Sequence, residues 1–173
     1  MKDFLQLADE RYSVRAFCEK EVEQEKIDKI VQAGLKAPTA VNFQPFKIWI
    51  AKSEEAKKAI CECTKFDFCK GAPVIFVVGA KTDGAWVRKY DGKNFADIDA
   101  SIAATHMMLE IHDLGLGTTW VGHFDEGALK DKFAQMRDYS LIALFPVGYI
   151  PSDCAPSKMH YASKDVADMT EEL

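Results

Sequence analysis

The run Asp97-Ile98-Asp99-Ala100-Ser101-Ile102-Ala103-Ala104-Thr105-His106-Met107-Met108-Leu109-Glu110-Ile111-His112-Asp113-Leu114 carries the longest helical periodicity in the chain. Ile98, Ile102, Thr105, Leu109 and His112 fall on one stripe. Ala103, Ala104, Met107, Met108 and Ile111 cover most of the remaining circumference. A surface helix needs only one apolar side, so a helix apolar nearly all round belongs in a domain core or a subunit interface. Gly115 follows where a left-handed C-cap closes the last turn.

Working outward, residues 23–36 predict a second clear helix, with Ile27, Ile30, Val31 and Gly34 at helical spacing and Pro38 ending it. Residues 2–10 suit a short helix with Phe4, Leu5 and Ala8 on one side. Ser53 caps a helix running to about Cys63, with Glu54 and Glu55 in the favourable first turn. Asp125 caps another to about Phe133. Phe46 to Ala51 reads as a strand, and Pro73 to Gly79, apolar and β-branched throughout, as a strand buried on both faces. Thr118 to His123 is a strand candidate, and Leu141 to Gly148 another, interrupted at Pro146. Residues 80–96, with Gly84, Gly92, Trp86, Tyr90 and Phe95, read as an irregular loop. The last 25 residues are polar and cannot make a core alone, so they are either disordered or wrapped around something. Without repeats, low-complexity stretches or a linker, the reading is one α+β domain over residues 1–173, with four or five strands and about five helices.

Composition bounds the function. With 48% apolar and 28% charged residues, the chain suits a globular core. A balance of 22 basic against 27 acidic residues, net -5, gives no electrostatic reason to expect nucleic acid or an anionic membrane as partner. No apolar run is long enough to span a bilayer, and the N-terminus does not read as a signal peptide. Five cysteines without a Cys-x-x-Cys pair argue for reduced thiols in a cytoplasmic protein. His106 and His112, six apart, do not share a helix face at ligand spacing, and Cys61 and Cys63 point in different directions, so no metal site is expected. Met107 and Met108 read as packing.

Three segments could carry chemistry. Arg11-Tyr12-Ser13-Val14-Arg15 places two arginines four apart. On a helical turn or a strand they share a face and aim two guanidinium forks and a hydroxyl at one spot, which suits a phosphate. Two solvated surface arginines are the competing reading. Ala37-Pro38-Thr39-Ala40-Val41-Asn42-Phe43-Gln44-Pro45 is a polar loop bracketed by prolines ahead of a strand. Its amides match the alternating carbonyl and N–H edge of a flavin pyrimidine, or bond their own backbone. Gly115-Leu116-Gly117-Thr118-Thr119-Trp120-Val121-Gly122 lets backbone approach a ligand closely. A C-cap followed by a strand explains Gly115 but not Gly122.

In order and spacing across about residues 8–150, these segments and Ala72-Pro73-Val74-Ile75 resemble the nitroreductase family: Arg-x-Ser-x-Arg/Lys, then Pro-Ser-x-x-Asn-x-Gln-Pro-Trp, then an Ala-Pro strand, then a long helix ending in Gly-Leu-Gly. The resemblance implies a three-layer α+β fold with a central mixed sheet flanked by helices, in an intertwined homodimer with one FMN at each of two interface sites. Arg11, Tyr12, Ser13 and Arg15 would hold the phosphate and ribityl side. Thr39, Ala40, Asn42 and Gln44 would come from the other subunit. Thr119, Trp120, Val121 and Gly122 would present backbone groups to the isoalloxazine. Residues 149–173 would cross over and return Lys158 and Lys164 to the phosphate.

Thr39 stands for the family serine and Phe46 for its tryptophan, each keeping the chemistry. The tail offers two lysines where family tails carry several arginines, and the helices inserted in longer members are missing. The implied activity is two-step hydride traffic. NADH or NADPH reduces the flavin and leaves, and a nitroaromatic, quinone or similar acceptor is then reduced on the same face. The protein would position and electrostatically stabilise, with no catalytic side chain of its own. Residues 80–96 are the expected source of the channel lining. The alternatives are a non-catalytic flavin carrier or sensor on this fold, and a cofactor-free structural dimer.

Overall fold

A computed structural model describes residues 3–173. The predicted two-face strand is β2, Val74–Ala80, with every residue buried. It is the second strand of a four-stranded sheet of order β1-β2-β4-β3, where β1 is Phe46–Ala51, β3 Leu116–Thr118 and β4 Ser140–Tyr149. Alternation along β2 sends Val74, Phe76, Val78 and Ala80 to one face and Ile75 and Val77 to the other. On the first face pack α2 (Gln24–Leu35) and α4 (Ala96–Asp113), through Ile27, Ile30, Ala104, Met107 and Ile111. On the second pack α3 (Glu54–Cys61) and α5 (Glu126–Lys132), through Ile60, Cys61 and Leu129. Helices on both faces of one sheet make the three layers that the resemblance implies. Phe76 and Phe145 are fully buried at its centre, and truncating either to alanine costs about 3–5 kcal/mol.

The predicted caps form. Ser53 accepts from the Ala56 N–H at 3.2 Å and Asp125 from the Ala128 N–H at 2.9 Å. α1 is Phe4–Glu10, and the Lys2 start expected for it lies outside the described residues. Short 3-10 turns and a four-residue helix, α6 (Val166–Met169), complete the chain. Among the described residues no helix is long and apolar enough to cross a membrane.

Two strand expectations are corrected, for one reason. β4 is not interrupted at Pro146 but runs unbroken from Ser140 to Tyr149. β3 is not Thr118 to His123 but stops at Thr118. The ladder pairs Leu116 with Tyr149, Gly117 with Gly148 and Thr118 with Val147, and in that register Thr119 stands opposite Pro146. Pro146 has no N–H to donate, and its carbonyl is taken by the Thr118 hydroxyl at 2.8 Å. The pairing lapses at Thr119 and resumes as an isolated bridge between Val121 and Leu144, with both bonds at 3.0 Å. On its other side Pro146 faces Ile75 of β2, where the ladder continues. The proline therefore breaks its edge partner rather than its own strand.

The mixed sheet implied by the resemblance is corrected: the four-stranded sheet is antiparallel. All three ladders are antiparallel, and its parallel component is one bridge, Ser13 with Thr118.

Candidate functional site

The N-terminal strip Arg11–Arg15 is laid on the edge of β3. Val14, 1% exposed, donates its N–H to the Thr118 carbonyl at 2.9 Å, which turns its neighbours Ser13 and Arg15 outward. Gly117 makes the approach possible, since a Cβ there would sit 2.8 Å from both Val14 methyl groups. Arg11, Tyr12, Ser13 and Arg15 line a cavity of about 320 Å³, and the tail closes its other wall with Ser157, Met159 and His160. The two arginines expected to share a face do so, and none of the lining residues is acidic. The Arg15 guanidinium reaches the Ser13 carbonyl at 3.3 Å. The Tyr12 hydroxyl donates to the Cys154 carbonyl at 3.2 Å; its pKa is raised, first by burial and then by the neighbouring Cys154 side chain.

His160 is the residue that the sequence reading missed. Its Nε2 lies 2.9 Å from the Asp9 carbonyl, and its ring stands edge-on to Tyr12 and to Tyr161. Lys158 shares the same short helix, Lys158–Tyr161, but is not part of the cavity wall, and Lys164 lies further along the exposed tail. Only the proximity of the histidine to Lys158 could have pointed to it.

Residues 119–122 follow directly from the strip's partner strand. Thr119 and Trp120, released from the ladder opposite Pro146, run past its edge. Thr119 is buried, and the Trp120 ring packs edge-on to Phe145 at 5.2 Å. Val121 returns to the sheet, and Gly122 is exposed beside the Trp120 indole.

The loop from Thr39 to Gln44 is anchored elsewhere, on the first turn of α4, where Asp99 accepts from the Ala40 N–H at 2.9 Å. Val41 (φ 47°), Asn42 (φ 58°) and Gln44 (φ 51°) are all left-handed. Asparagine tolerates that region, but a β-branched valine there is an outlier of the kind that gathers at functional sites. Asn42 and Gln44 are exposed, as are the flanking side chains of Val41 and Phe43. Within one chain, then, the structure brings Arg11–Arg15 together with Gly117, Thr118 and the tail, and leaves the amide loop open to solvent on a different anchor.

Cys61, Cys63 and Cys69 are buried between α3 and the sheet, and burial pushes the Cys69 thiol up to about 12, so it stays protonated. Among the described residues no three His, Cys, Asp or Glu side chains gather closely enough to hold a metal ion.

The model of the nitroreductase family matches residues 8–65 and 60–149, which takes in the strip, the loop, the sheet and α4. The chain belongs to the nitroreductase family. It is 30% identical over 160 residues, 85% of its length and 77% of the relative's, to a protein of Methanothermobacter thermautotrophicus named as a candidate NADH dehydrogenase/NAD(P)H nitroreductase. It is 26% identical over 136 residues to the FMN reductase [NAD(P)H] of Bacillus subtilis, spanning 70% of this chain and 55% of that one. A nitroreductase family protein of Clostridium difficile superposes with a TM-score of 0.88 at 28% identity, over 98% of both chains. A candidate nitroreductase of Desulfovibrio desulfuricans, solved in complex with FMN, shares the fold with a TM-score of 0.83 at 22% identity, over 100% of this chain and 98% of that one. The fold expected from four short motifs is thus the fold of this family member.

Proposed function

We propose that this nitroreductase family member is an FMN-dependent oxidoreductase, working as a homodimer, that takes hydride from NADH or NADPH and passes it to a small nitroaromatic, quinone or similar acceptor. The observation that carries the reading is the cavity where Arg11, Tyr12, Ser13 and Arg15 face Ser157 and His160 without a carboxylate. Two guanidinium groups, hydroxyls and an imidazole form a donor set for a phosphate dianion. Its size and chemistry fit the phosphate end of FMN. The names of the relatives, an FMN reductase and an NAD(P)H nitroreductase, support the same assignment.

Arg11, Ser13 and Arg15 hold the phosphate, with Tyr12 fixing the tail against them. Lys158 and Lys164 add positive charge from the exposed tail. Thr119 to Gly122, freed from the ladder at Pro146, present backbone groups toward the ring, and Trp120 keeps one side of that strip dry. Thr39, Ala40, Asn42 and Gln44 come from the second subunit, which explains why the loop is exposed and strained in a single chain. When bound, FMN supplies the two-electron carrier, and the protein contributes position, electrostatics and exclusion of water. No side chain need act as acid or base for hydride to arrive.

The homodimer is supported by the outer stripe of α4. Ile98 and Ile102 remain only half-buried and border a shallow groove of about 380 Å³ with Asp97, Ser101 and Thr105. Met159, Tyr161, Val166 and Met169 of the tail are 65–79% exposed, an apolar series that a partner surface would cover. An anaerobic titration of the FMN-loaded protein with NADH and with NADPH tests the activity. Bleaching of the flavin band is expected. Bound flavin that neither nucleotide bleaches would leave a carrier or sensor.

A further inference from the structure

Asp99 is 1% exposed in the first turn of α4, yet it carries one of the few carboxyl groups buried in the chain. One oxygen accepts the Ala40 N–H at 2.9 Å, while the other is buried without a hydrogen-bond partner among the described residues. Such an arrangement disfavours folding, and a group of this kind calls for a reason beyond stability. The loop that Asp99 touches supplies one. Asn42 N–H to Thr39 carbonyl (3.0 Å), Phe43 N–H to Ala40 carbonyl (3.2 Å) and Gln44 N–H to Thr39 hydroxyl (3.1 Å) are all internal to the loop. At its C-terminal end the loop joins β1, where the Phe46 N–H donates to the Gln44 carbonyl at 2.8 Å; at its N-terminal end the bond of Ala40 with Asp99 ties it to α4. Packing does not hold the left-handed backbone, because Val41 is 61% and Phe43 56% exposed. Three non-glycine residues in a disfavoured region persist only where something outside fixes them.

We infer that Asp99 is a positioning residue for the flavin site. Its hydrogen bond to Ala40 holds the Thr39–Gln44 loop in the one backbone shape that aims Asn42 and Gln44 at the ring. The inference rests on the FMN reading above and names a residue that neither the motifs nor the cavity identify. It also links α4, the proposed interface helix, to the loop that each subunit offers its partner. Only one acceptor oxygen is required, so an amide in place of the carboxyl should serve.

The test uses the full chain with Asp99→Asn and Asp99→Leu. FMN and riboflavin affinities are measured for each, with hydrogen exchange at the Ala40 amide in flavin-free protein. Leucine keeps the volume and removes the acceptor, so FMN and riboflavin should both weaken by about tenfold or more, the low end for a hydrogen bond to a charged group, and by the same factor. Equal loss marks a defect on the ring side rather than at the phosphate. Asparagine should bind both flavins within about threefold of wild type, since it keeps a neutral bond to the same amide. Exchange at Ala40 should accelerate with leucine and not with asparagine. If the leucine variant fails to fold, Asp99→Ala replaces it in the same comparison. Wild-type affinity in the leucine variant, loss of FMN alone, or equal damage from asparagine and leucine would overturn the inference. Wild-type protein that binds neither flavin would instead end the FMN reading, while the exchange rates would still decide whether Asp99 holds the loop.

Discussion

Gly117 lies against Val14 so closely that a Cβ would stand 2.8 Å from both valine methyl groups and 2.8 Å from Ile150 Cγ1. The contact sets how near the Arg11–Arg15 strip comes to β3, and Val14 cannot swing a flexible end away. Gly117→Ala should therefore destabilise the fold by about 1–3 kcal/mol, the usual cost of overpacking. FMN retention should fall with it, because the strip and residues 118–122 move apart. Gly122→Ala is the control: its Cβ meets nothing closer than 3.7 Å. It should stay within about 0.5 kcal/mol of wild type. Thermal denaturation of flavin-free protein measures both, and equal effects would show that the strip is not seated through Gly117.

Arg15→Ala should weaken FMN binding by about 1.5–3 kcal/mol, the range for hydrogen bonds to charged groups. Riboflavin, which lacks the phosphate, should bind as it does to wild type. Arg15→Lys should recover part of the FMN affinity, keeping the charge and losing the fork. Fluorescence titration with both flavins reads this directly. An alanine variant with unchanged FMN affinity would move the phosphate out of the cavity beside Ser157 and His160.

Residues whose surroundings are local were legible in the sequence; those set by distant partners were not. The run from Val74 announces itself because β-branched side chains without polar alternation have only a two-sided burial to occupy. Ser53 and Asp125 were readable because a cap needs only the next three residues. Pro146 misled, because a proline stops a ladder only on the side its nitrogen faces, and which strand lies there is a tertiary fact. The same fact cut β3 at Thr118. In the site, the shared face of Arg11 and Arg15 was readable from spacing, with a solvated surface as the competing reading, and their role with Ser13 only from the resemblance. His160 and Asp99 were not, since each acts on a partner far along the chain: Asp9 lies 151 residues from His160, and Ala40 lies 59 from Asp99.

Glu23 and Tyr149 tie the start of α2 to the end of β4, with the phenol oxygen 2.9 and 2.7 Å from the two carboxylate oxygens. That hydrogen bond, helped by Lys20, holds the Glu23 carboxyl at about 2 against an ordinary value of 4.5. A depressed folded-state value means that the contribution is fully present above about 4.5 and is lost as pH falls toward 2. Tyr149→Phe removes the donor but leaves the ring under Lys20, 3.8 Å from its centroid. The melting temperature of wild type should exceed that of the variant near neutral pH, and the gap should close across this acid window. A gap that stays constant down to the lowest pH would show that the pair adds nothing through its charge.

The proposed sharing of sites between subunits can be tested by mixing defects. If Arg11 and Asn42 reach one FMN from opposite chains, each site needs one of each from different chains. Arg11→Glu places an anion in the phosphate cavity, and Asn42→Asp places one in the exposed loop; each variant alone should lose FMN. Co-expressed, the chains can pair before the dimer closes. In a mixed dimer one site inherits both defects and the other neither. Random pairing in a two-fold dimer makes about half the dimers mixed, so roughly a quarter of all sites should be intact. FMN content and NADH oxidation should both recover to about that fraction. The folding of the single chain already separates the two anchors, with the Arg11 strip on β3 through Val14 and the Asn42 loop on α4 through Asp99. Were both residues to serve a site within one chain, every site in every dimer would carry one defect. Absence of recovery, in a preparation whose intact mass shows mixed dimers, would then place Asn42 beside Arg11 of its own chain and leave the flavin assignment standing.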